Sequence, residues 1–533
     1  MTMHRSFILR CTQLILLTRR APAFSHNYKP LFSTRQFCTS LSASMTTLSF
    51  GPSLNSPSNY NSTVIIGKSD SMKGVLPALL EPIGLKNLDA PIFDAMMEAI
   101  DTKKGGESST MIRLEDDSSV HQIVFGALPS SVSRNNHPMS VHSLTKLAGS
   151  AKGNSRILIL TDDYPIGALA SSVAKAFPLF SRKSSGDTER KIDVTFCKAD
   201  GSFVDDDEQI KAAQSVSTGV QLAARLVDSH PELMTTTKFS EEVHMLASNN
   251  PRVSVQELVG DELKQYGGLY GVGKAAVCPP RLILLEYDGG GDETVALVGK
   301  GIVYDTGGLS LKPKAGMCGM KHDMGGAAGL LGGFFSAAEL GVNKKVHCIL
   351  CLAENAIGPT AFRNDDILSM YSGKTVEVNN CDAEGRLVLG DGVAHATQHI
   401  EKLDLVVDMA TLTGAQLVAT GKKHAGILAN SEALEKRATS SGMHSGDLCY
   451  PLLYAPELLM DEFNSKVADM KNSVKDRSNA QTSCAGHFIE SHLDESFEGG
   501  WLHVDMAGPG SKDERGTGYG VGLVLSLLDA PGF

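Results

Sequence analysis

The sequence predicts an α/β fold, in which a smaller N-terminal α/β domain precedes a larger C-terminal α/β domain with a mixed central sheet covered by helices. Apolar, β-rich runs alternate with stretches of helical periodicity along most of the chain. The 533 residues also exceed the size of one ordinary domain. The chain is 42% hydrophobic and 20% charged, as globular proteins are, and it lacks an apolar run of the roughly 18 residues that a membrane span needs.

The first 60 residues are predicted to form a leader. Residues 1–69 contain no Asp or Glu but seven Lys and Arg residues, together with many Ser and Thr. This composition is typical of an organellar transit peptide, so we expect import into the mitochondrion. Two alternatives stay open, namely import into a plastid and a cytoplasmic protein whose translation starts at Met45.

The body of the chain is acidic. The formal net charge is −11, and it falls to −18 when the seven cations of residues 1–69 are left out. Such a charge argues against nonspecific binding to nucleic acid or to a membrane surface. We therefore expect neither a membrane nor a nucleic acid as a partner.

The ten cysteines are scattered along the chain, which suits a reducing compartment. Cys348 and Cys351 form the single Cys-x-x-Cys pair. Because this pair lies inside an apolar run, packing explains it better than zinc or redox chemistry does.

The N-terminal domain is expected over residues 61–240. Strands are predicted at 62–70, 122–128, 156–163 and 192–200. A helix is predicted at 165–180, and a longer one at 207–229, where apolar residues recur at helical spacing from Ile210 to Val227.

The C-terminal domain is expected over residues 250–533, after a junction near 235–255. Its apolar, β-rich runs lie at 280–288, 294–305, 345–355, 374–380, 402–412, 425–430 and 501–508. Helices are predicted between several of them, at 324–340, 384–400 and 481–492. Since strands and helices alternate, both faces of the sheet are expected to be covered.

Charged residues concentrate in otherwise apolar or glycine-rich segments of this domain. Four are carboxylates and three are cations: Asp305, Asp323, Asp382, Glu384, Lys300, Lys312 and Arg386. Buried carboxylates need positive charge to stay ionised, and four need more than three side chains readily supply. Bound divalent metal would supply it, and carboxylate-rich sites with room for two metals are typical of hydrolases that activate water.

These seven residues resemble, in type and spacing, the leucyl aminopeptidase (M17, cytosol aminopeptidase) family. The segment NNCDAEGRL at 379–387 is similar to the family signature NTDAEGRL. The resemblance covers about residues 220–520 and includes MATLTGA (409–415), VADMKN (467–472) and WLHVDMAG (501–508). It implies a metal-dependent aminopeptidase that hydrolyses the N-terminal residue, preferably leucine or another apolar one, from peptides with a free N-terminus.

The resemblance also implies a role for each residue. One metal ion would take Asp305, Asp382 and Glu384, and a second would take Lys300, Asp305, Asp323 and Glu384. Zinc is the usual ion, with manganese or magnesium as possible replacements. Lys312 would stabilise the oxyanion, and Arg386 would hold a bicarbonate that acts as general base. The substrate would be bound by Met320, Thr411, Leu412, Gly414 and Ala507, within a homohexamer.

Three positions depart from the family pattern. Cys381 replaces the usual Thr, His322 stands where an aromatic is common, and Gly510 replaces a larger pocket residue of some members. We expect Gly510 to enlarge the pocket. We expect His322 to lie on a strand and to point away from Asp323.

Other classes of enzyme lack support in the sequence. The chain contains neither the HExxH motif of zincins nor the GxSxG motif of serine hydrolases. The segment SGKT at 372–375 lacks the preceding Gly of a P-loop, and GVGKAA at 271–276 matches only half of a dinucleotide fingerprint. The remaining alternative is a catalytically idle family member that acts as a structural or interaction protein.

Overall fold

The structure is a computed structural model, and it describes residues 46–54, 60–85, 88–100, 106–115, 120–184 and 189–533. Most of the predicted leader lies outside these residues. None of the described helices is long and apolar enough to cross a membrane.

A six-stranded sheet forms the centre of the N-terminal domain, in the spatial order β1-β6-β5-β2-β4-β3. Its strands are β1 (Thr46–Phe50), β2 (Ser62–Lys68), β3 (Ser108–Glu115), β4 (Val120–Leu128), β5 (Ser155–Leu160) and β6 (Arg190–Cys197). Only β3 runs antiparallel to its neighbour. The helices of this part are α1 (Ser69–Leu79), α2 (Ala90–Ala99), α3 (Val141–Ala148), α4 (Ile166–Ala176), α5 (Asp207–Asp228) and α6 (Thr236–Ser248).

The structure extends the N-terminal domain toward the start of the chain. β1 pairs in parallel with β6, from Thr46 opposite Arg190 to Phe50 opposite Val194. Since these five residues form a strand of the first sheet, the predicted leader of residues 1–60 overlaps the folded domain.

An eight-stranded mixed sheet forms the centre of the C-terminal domain, in the order β15-β14-β17-β13-β9-β10-β8-β7. Its strands are β7 (Val253–Val259), β8 (Arg281–Asp288), β9 (Thr294–Asp305), β10 (Lys345–Asn355), β13 (Leu405–Ala410), β14 (Ala425–Ala429), β15 (Cys449–Pro451) and β17 (Gly500–Asp505). Two small sheets contain β11 (Ile367–Ser369), β12 (Thr375–Glu377), β16 (Met470–Lys471), β18 (Ser511–Lys512) and β19 (Arg515–Gly516). The predicted fold class is confirmed.

Helices cover both faces of the large sheet. They are α7 (Gly267–Gly273), α8 (Lys314–Met317), α9 (Gly325–Leu340), α10 (Gly385–His399), α11 (Gly414–Ala419), α12 (Glu432–Ser445), α13 (Pro456–Leu459), α14 (Gln481–Glu490) and α15 (Val521–Leu527). Alternate residues of β9 face different cores: Val295 and Leu297 pack in the core that contains α9, whereas Ala296 and Val298 pack in the core that contains α10.

The core that contains α9 continues into the N-terminal domain. It includes Leu48 of β1 and Ala530 near the C-terminal end, so one apolar core joins the two sheets. Helix α5 packs directly against α9. A Cβ atom on Gly219 would lie 2.8 Å from the Gly332 carbonyl oxygen, so the two helices approach at glycines.

The carboxyl ends of four strands meet at one edge of the large sheet. β9, β10, β13 and β17 run parallel to one another where they pair. Their last residues are Asp305, Asn355, Ala410 and Asp505. This edge is where open α/β sheets place their binding sites, because the following loops can converge there. The first residues of α9 and α10 follow loops at the same edge and add the positive end of a helix dipole.

We predict that Gly326→Ala destabilises the protein. A Cβ atom on Gly326 of α9 would lie 2.0 Å from the Met409 carbonyl oxygen of β13, so helix and sheet must move apart. We expect the free energy of unfolding to fall by about 1–3 kcal/mol, with a lower apparent Tm in calorimetry.

Gly74→Ala in α1 is the matched control. No atom lies within 4 Å of its Cβ position, so the added methyl group should raise the helix stability by about 0.5–1 kcal/mol. Equal Tm values for the Gly326→Ala variant and the unchanged protein would contradict the close packing of α9 on β13.

Candidate functional site

A cluster of three carboxylates lies at the carboxyl edge of the large sheet. Asp305 ends β9, whereas Asp382 and Glu384 lie in the turn that leads into α10. One oxygen from each residue lies within 4.8 Å of the others. Asp305 and Glu384 are each only 2% exposed, so water screens their charges poorly.

Lys300 links two carboxylates from different elements. Its Nζ lies 2.8 Å from Asp323 Oδ2 and 2.9 Å from Glu384 Oε1, and it donates a hydrogen bond of 3.1 Å to the Thr411 carbonyl oxygen. Burial lowers the pKa of Lys300, but the charges of Asp323, Glu384 and Asp305 together raise it above the ordinary value. The neighbouring carboxylates thus favour the charged form of Lys300.

Lys312 occupies the other side of the cluster. Its Nζ lies 2.8 Å from Asp305 Oδ2 and forms an ion pair with Asp382. Burial lowers its pKa, but Asp305 and Glu384 outweigh that effect and hold the pKa above the ordinary value. Two lysines thus contact four carboxylates, and the site keeps an excess of negative charge.

The pKa values of these carboxylates shift in different directions. Burial and the charge of Glu384 raise the pKa of Asp305 to about 6, against the opposing effect of the two lysines. Burial also raises the pKa of Asp323 well above its ordinary value. For Glu384, Lys300 and Lys312 outweigh burial, so its pKa is lowered. Dense, buried oxygen donors that repel one another fit divalent cations, which would relieve the repulsion.

Arg386 is the second residue of α10 and is 4% exposed. Its Nε and Nη1 atoms are buried and have no hydrogen-bond partner among the described residues. The guanidinium lies 6.0 Å from the centre of the Phe463 ring. Burial lowers its pKa to about 10, so it remains a cation at neutral pH. Buried donors without partners fit a small anion.

Asn355 is a site residue that the sequence reasoning missed. Its Nδ2 donates to Asp305 Oδ1 at 2.8 Å and to the Cys381 carbonyl oxygen at 3.1 Å. The Gly307 amide donates to the same oxygen of Asp305 at 2.8 Å. A polar residue that ends an apolar strand beside β9 is a signal that could have identified it, because β10 pairs with β9 and places Asn355 opposite Asp305.

Comparison with known sequences and structures identifies the family of this chain. The family model described as "Cytosol aminopeptidase family, catalytic domain" matches residues 221–525, more than half of the chain. The chain belongs to the M17 cytosol aminopeptidase family. A second model of that family, "M17 aminopeptidase N-terminal domain 2", matches residues 61–186. The chain is therefore a hydrolase of the leucyl aminopeptidase type, a metallo-exopeptidase.

Similar proteins support this assignment along most of the chain. The mouse "Probable aminopeptidase NPEPL1" is 46% identical over 415 residues, which are 75% of this chain and 78% of the relative. The "Leucine aminopeptidase 1" of Caenorhabditis elegans is 38% identical over 415 residues, 75% of this chain and 82% of the relative. The structure of leucyl aminopeptidase from Trypanosoma brucei in complex with bestatin has a TM-score of 0.83 and 37% identity, and the match covers 93% of this chain and 97% of that chain.

Two of the predicted substrate residues of this M17 protein, Thr411 and Met320, are linked to Asp323 of the cluster. Thr411 Oγ1 donates to Asp323 Oδ1 at 2.9 Å. Met320 is half-buried and begins the 3₁₀ helix Met320–Met324, which carries Asp323. Gly414 begins α11, and no atom lies within 4 Å of its Cβ position. The structure therefore places open space beside Gly414.

Asp505 accepts hydrogen bonds from the remaining two predicted substrate residues, Leu412 and Ala507. The sequence reasoning did not identify Asp505 as a site residue. Its Oδ1 accepts hydrogen bonds from the Leu412 amide at 3.1 Å and the Ala507 amide at 3.2 Å. Its Oδ2 accepts from Thr413 Oγ1 at 2.6 Å and from Thr482 Oγ1 at 3.0 Å. This fully buried carboxylate therefore positions the two segments that carry Leu412 and Ala507. The signal was the lone carboxylate within the apolar strand WLHVDMAG.

The structure corrects the expectations for two positions that depart from the family pattern, His322 and Gly510. His322 belongs to a 3₁₀ helix rather than a strand, and its Nε2 hydrogen-bonds to the Glu514 carbonyl oxygen at 3.2 Å. Gly510 is buried, and a Cβ atom there would lie 2.9 Å from Met506 Cε and 3.1 Å from Thr411 Cγ2. Neighbouring side chains fill that position, so this glycine leaves no free space there.

Cys381 contacts a neighbouring loop instead of the carboxylates. Its Sγ lies 3.4 Å from the Phe362 carbonyl oxygen and 3.4 Å from Asn364 Oδ1. The substitution of the usual Thr therefore changes the support of the turn before Asp382, not the carboxylate cluster itself.

We predict that Asn355→Asp weakens metal binding. The new carboxylate would face Asp305 Oδ1 at a hydrogen-bond distance and could no longer donate, so repulsion would displace Asp305. Loss of such a supporting hydrogen bond lowers metal affinity by about 10–100-fold. Metal titration by calorimetry checks this, with Asn343→Asp on the exposed surface as control. Equal affinity in both variants would contradict a supporting role for Asn355.

Proposed function

We propose that this M17 enzyme removes the N-terminal residue from peptides by metal-dependent hydrolysis, with a preference for leucine and other apolar residues. The observation that carries the proposal is the excess of buried negative charge, in which two lysines contact four carboxylates. Two divalent ions would fit this donor set, zinc first, with manganese or magnesium as replacements. When bound, such ions act as Lewis acids and make water nucleophilic near neutral pH.

The ligand sets are assigned from the family resemblance together with the observed contacts. Asp305, Asp382 and Glu384 would hold one ion, and their close oxygens support this assignment. Asp305, Glu384, Asp323 and Lys300 would hold the other. Lys300 can ligate only as a neutral amine. Because carboxylates now keep it protonated, cations that neutralise the same carboxylates would favour its deprotonation.

Lys312 would stabilise the negative charge that develops on the carbonyl oxygen of the substrate. Its ammonium group is fixed beside Asp305 and Asp382 and keeps its proton at neutral pH. A cation held in place before the reaction needs little reorganisation, which makes it an effective oxyanion partner.

Arg386 would hold a bicarbonate ion. Its two unpartnered buried nitrogens support an anion at that position. The bicarbonate would accept a proton from the attacking water and act as general base.

The substrate side chain would lie among Met320, Thr411, Gly414 and Ala507, with the Leu412 backbone in contact with the substrate. Met320 supplies an adaptable apolar surface, and open space beside Gly414 supports a side chain there. Asp505 would act through the turns it holds rather than by touching the substrate.

Assembly and location remain proposals. We propose a homohexamer from the family resemblance, and mitochondrial import from the cationic composition of residues 1–69. A plastid or a cytoplasmic location is the alternative. The N-terminal sequence of the protein purified from the organelle would decide the location.

We predict that metal-loaded protein hydrolyses leucinamide and that Glu384→Gln loses more than about 99% of the activity, because the proposed site loses a shared ligand. A chelator should abolish the activity of the unchanged protein, and zinc or manganese should restore it. The exposed Glu457→Gln is the control. Metal-loaded protein that cleaves no aminoacyl amide would instead favour the idle family member.

We predict that Arg386→Met lowers kcat by about 100-fold or more, the usual contribution of a positioned general base. Added bicarbonate should stimulate the unchanged enzyme in carbonate-depleted buffer. The variant should not respond, because its anion site is lost. Equal stimulation of both proteins would rule out Arg386 as the bicarbonate site.

A further inference from the structure

A cleft of about 430 Å³ opens beside the carboxylate cluster. The loop that carries Leu311, Lys312 and Pro313 lines one side. Asn380, Val474 and Arg477 line the other. Apolar and polar groups thus share a space large enough for part of a peptide.

The cleft and the predicted substrate pocket adjoin different members of the carboxylate cluster. Lys312 and Asp382 line the cleft, whereas Lys300 and Asp323 contact Thr411 of the pocket. If the N-terminal side chain of a substrate occupies the pocket, the cleft beside Lys312 and Asp382 would take the chain beyond the scissile bond. This step rests on the proposed function.

Arg477 adds a positively charged side chain to the lining of this cleft. It is exposed and takes part in no hydrogen bond or ion pair within the described part of the chain. The charge of Lys312, the other cation there, is already shared between Asp305 and Asp382.

The loop around Arg477 is held in place by Glu462. The Glu462 carboxylate accepts a hydrogen bond of 2.8 Å from the Asp476 amide and one of 2.7 Å from Asn479 Nδ2. Asp476 Oδ1 accepts from the Ser478 amide and hydroxyl, at 2.8 and 2.7 Å. The Glu462 and Asp476 carboxylates are thus occupied by other donors, and these hydrogen bonds fix the loop on each side of Arg477.

We propose that Arg477 binds a carboxylate carried by the residue that follows the scissile bond. The guanidinium presents several donors in a plane that matches a carboxylate. The carboxylate could be the C-terminal group of a dipeptide or an acidic side chain. The enzyme would therefore favour dipeptides, or peptides with Asp or Glu at the second position, over neutral amides of the same length.

Paired substrates test this proposal. Leucyl-leucine is compared with leucyl-leucinamide, and leucyl-glutamyl amide with leucyl-glutaminyl amide. In Arg477→Gln we expect the preference in kcat/KM for the charged member of a pair to fall about fivefold, the scale of an exposed ion pair. The hydrolysis of leucyl-leucinamide should be unchanged. A smaller preference in the leucyl-leucine pair would show that Arg477 binds the C-terminal carboxylate. A smaller preference in the leucyl-glutamyl amide pair would show that it binds an acidic side chain.

Two further variants and a change of salt concentration test whether the preference depends on the Arg477 guanidinium. Lys475→Gln removes an exposed cation from the same loop, outside the cleft lining, and should keep the preference. Arg477→Lys should retain part of it, because a single ammonium replaces the fork. The preference should also shrink at about 1 M salt, where screening acts within about 3 Å.

A binding measurement separates this proposal from the proposed function. Dipeptide analogues with a reduced, uncleavable bond, one a free acid and one a carboxamide, are titrated into the full protein by calorimetry. A preference for the acid that Arg477→Gln removes supports the proposal even if no peptide is hydrolysed. The proposal would be overturned if the unchanged protein and Arg477→Gln preferred the acid to the same degree. It would also be overturned if Arg477→Gln weakened the binding of the acid and of the amide by the same factor.

Discussion

The structure depends on one electrostatic constraint, the gathering of four carboxylates at a buried edge where two lysines contact them. Two of the four carboxylates also accept hydrogen bonds from neutral donors. Asp305 accepts from Asn355 and from the Gly307 amide, and Asp323 accepts from Thr411. Without such fixed donors, repulsion would drive the carboxylates apart or protonate them. The fold therefore holds a charge arrangement that a divalent cation would complete.

Close packing positions this edge. The strands that carry Asp305, Asn355 and Asp505 are parallel, so their carboxyl ends and the loops after them converge. Helix α9 lies so near β13 that Gly326 has no room for a Cβ atom. Since protein interiors transmit small displacements, this packing fixes the distance between Asp323 and the strands.

Much of the fold followed from local pattern. Helical spacing from Ile210 to Val227 predicted a helix at 207–229, and the structure has Asp207–Asp228. The run at 374–380 was less informative, because only Thr375–Glu377 forms a strand there. The residues after it lead into the turn that carries Asp382, where the chain no longer pairs as a strand. His322 was assigned to a strand for a related reason, since a short 3₁₀ helix has no periodicity to detect.

The sequence alone determined the residue types of the site, the family and the positions of many of the longer strands and helices. Those are properties of short segments, where spacing and composition carry the information. Tertiary structure decided which residues support the site. Asn355 reaches Asp305 across 50 residues, and Asp505 reaches Leu412 across 93. Arg477 comes to the cleft in the same way, through a loop held by Glu462. Strand register and packing set these contacts, and no local pattern of the chain encodes them.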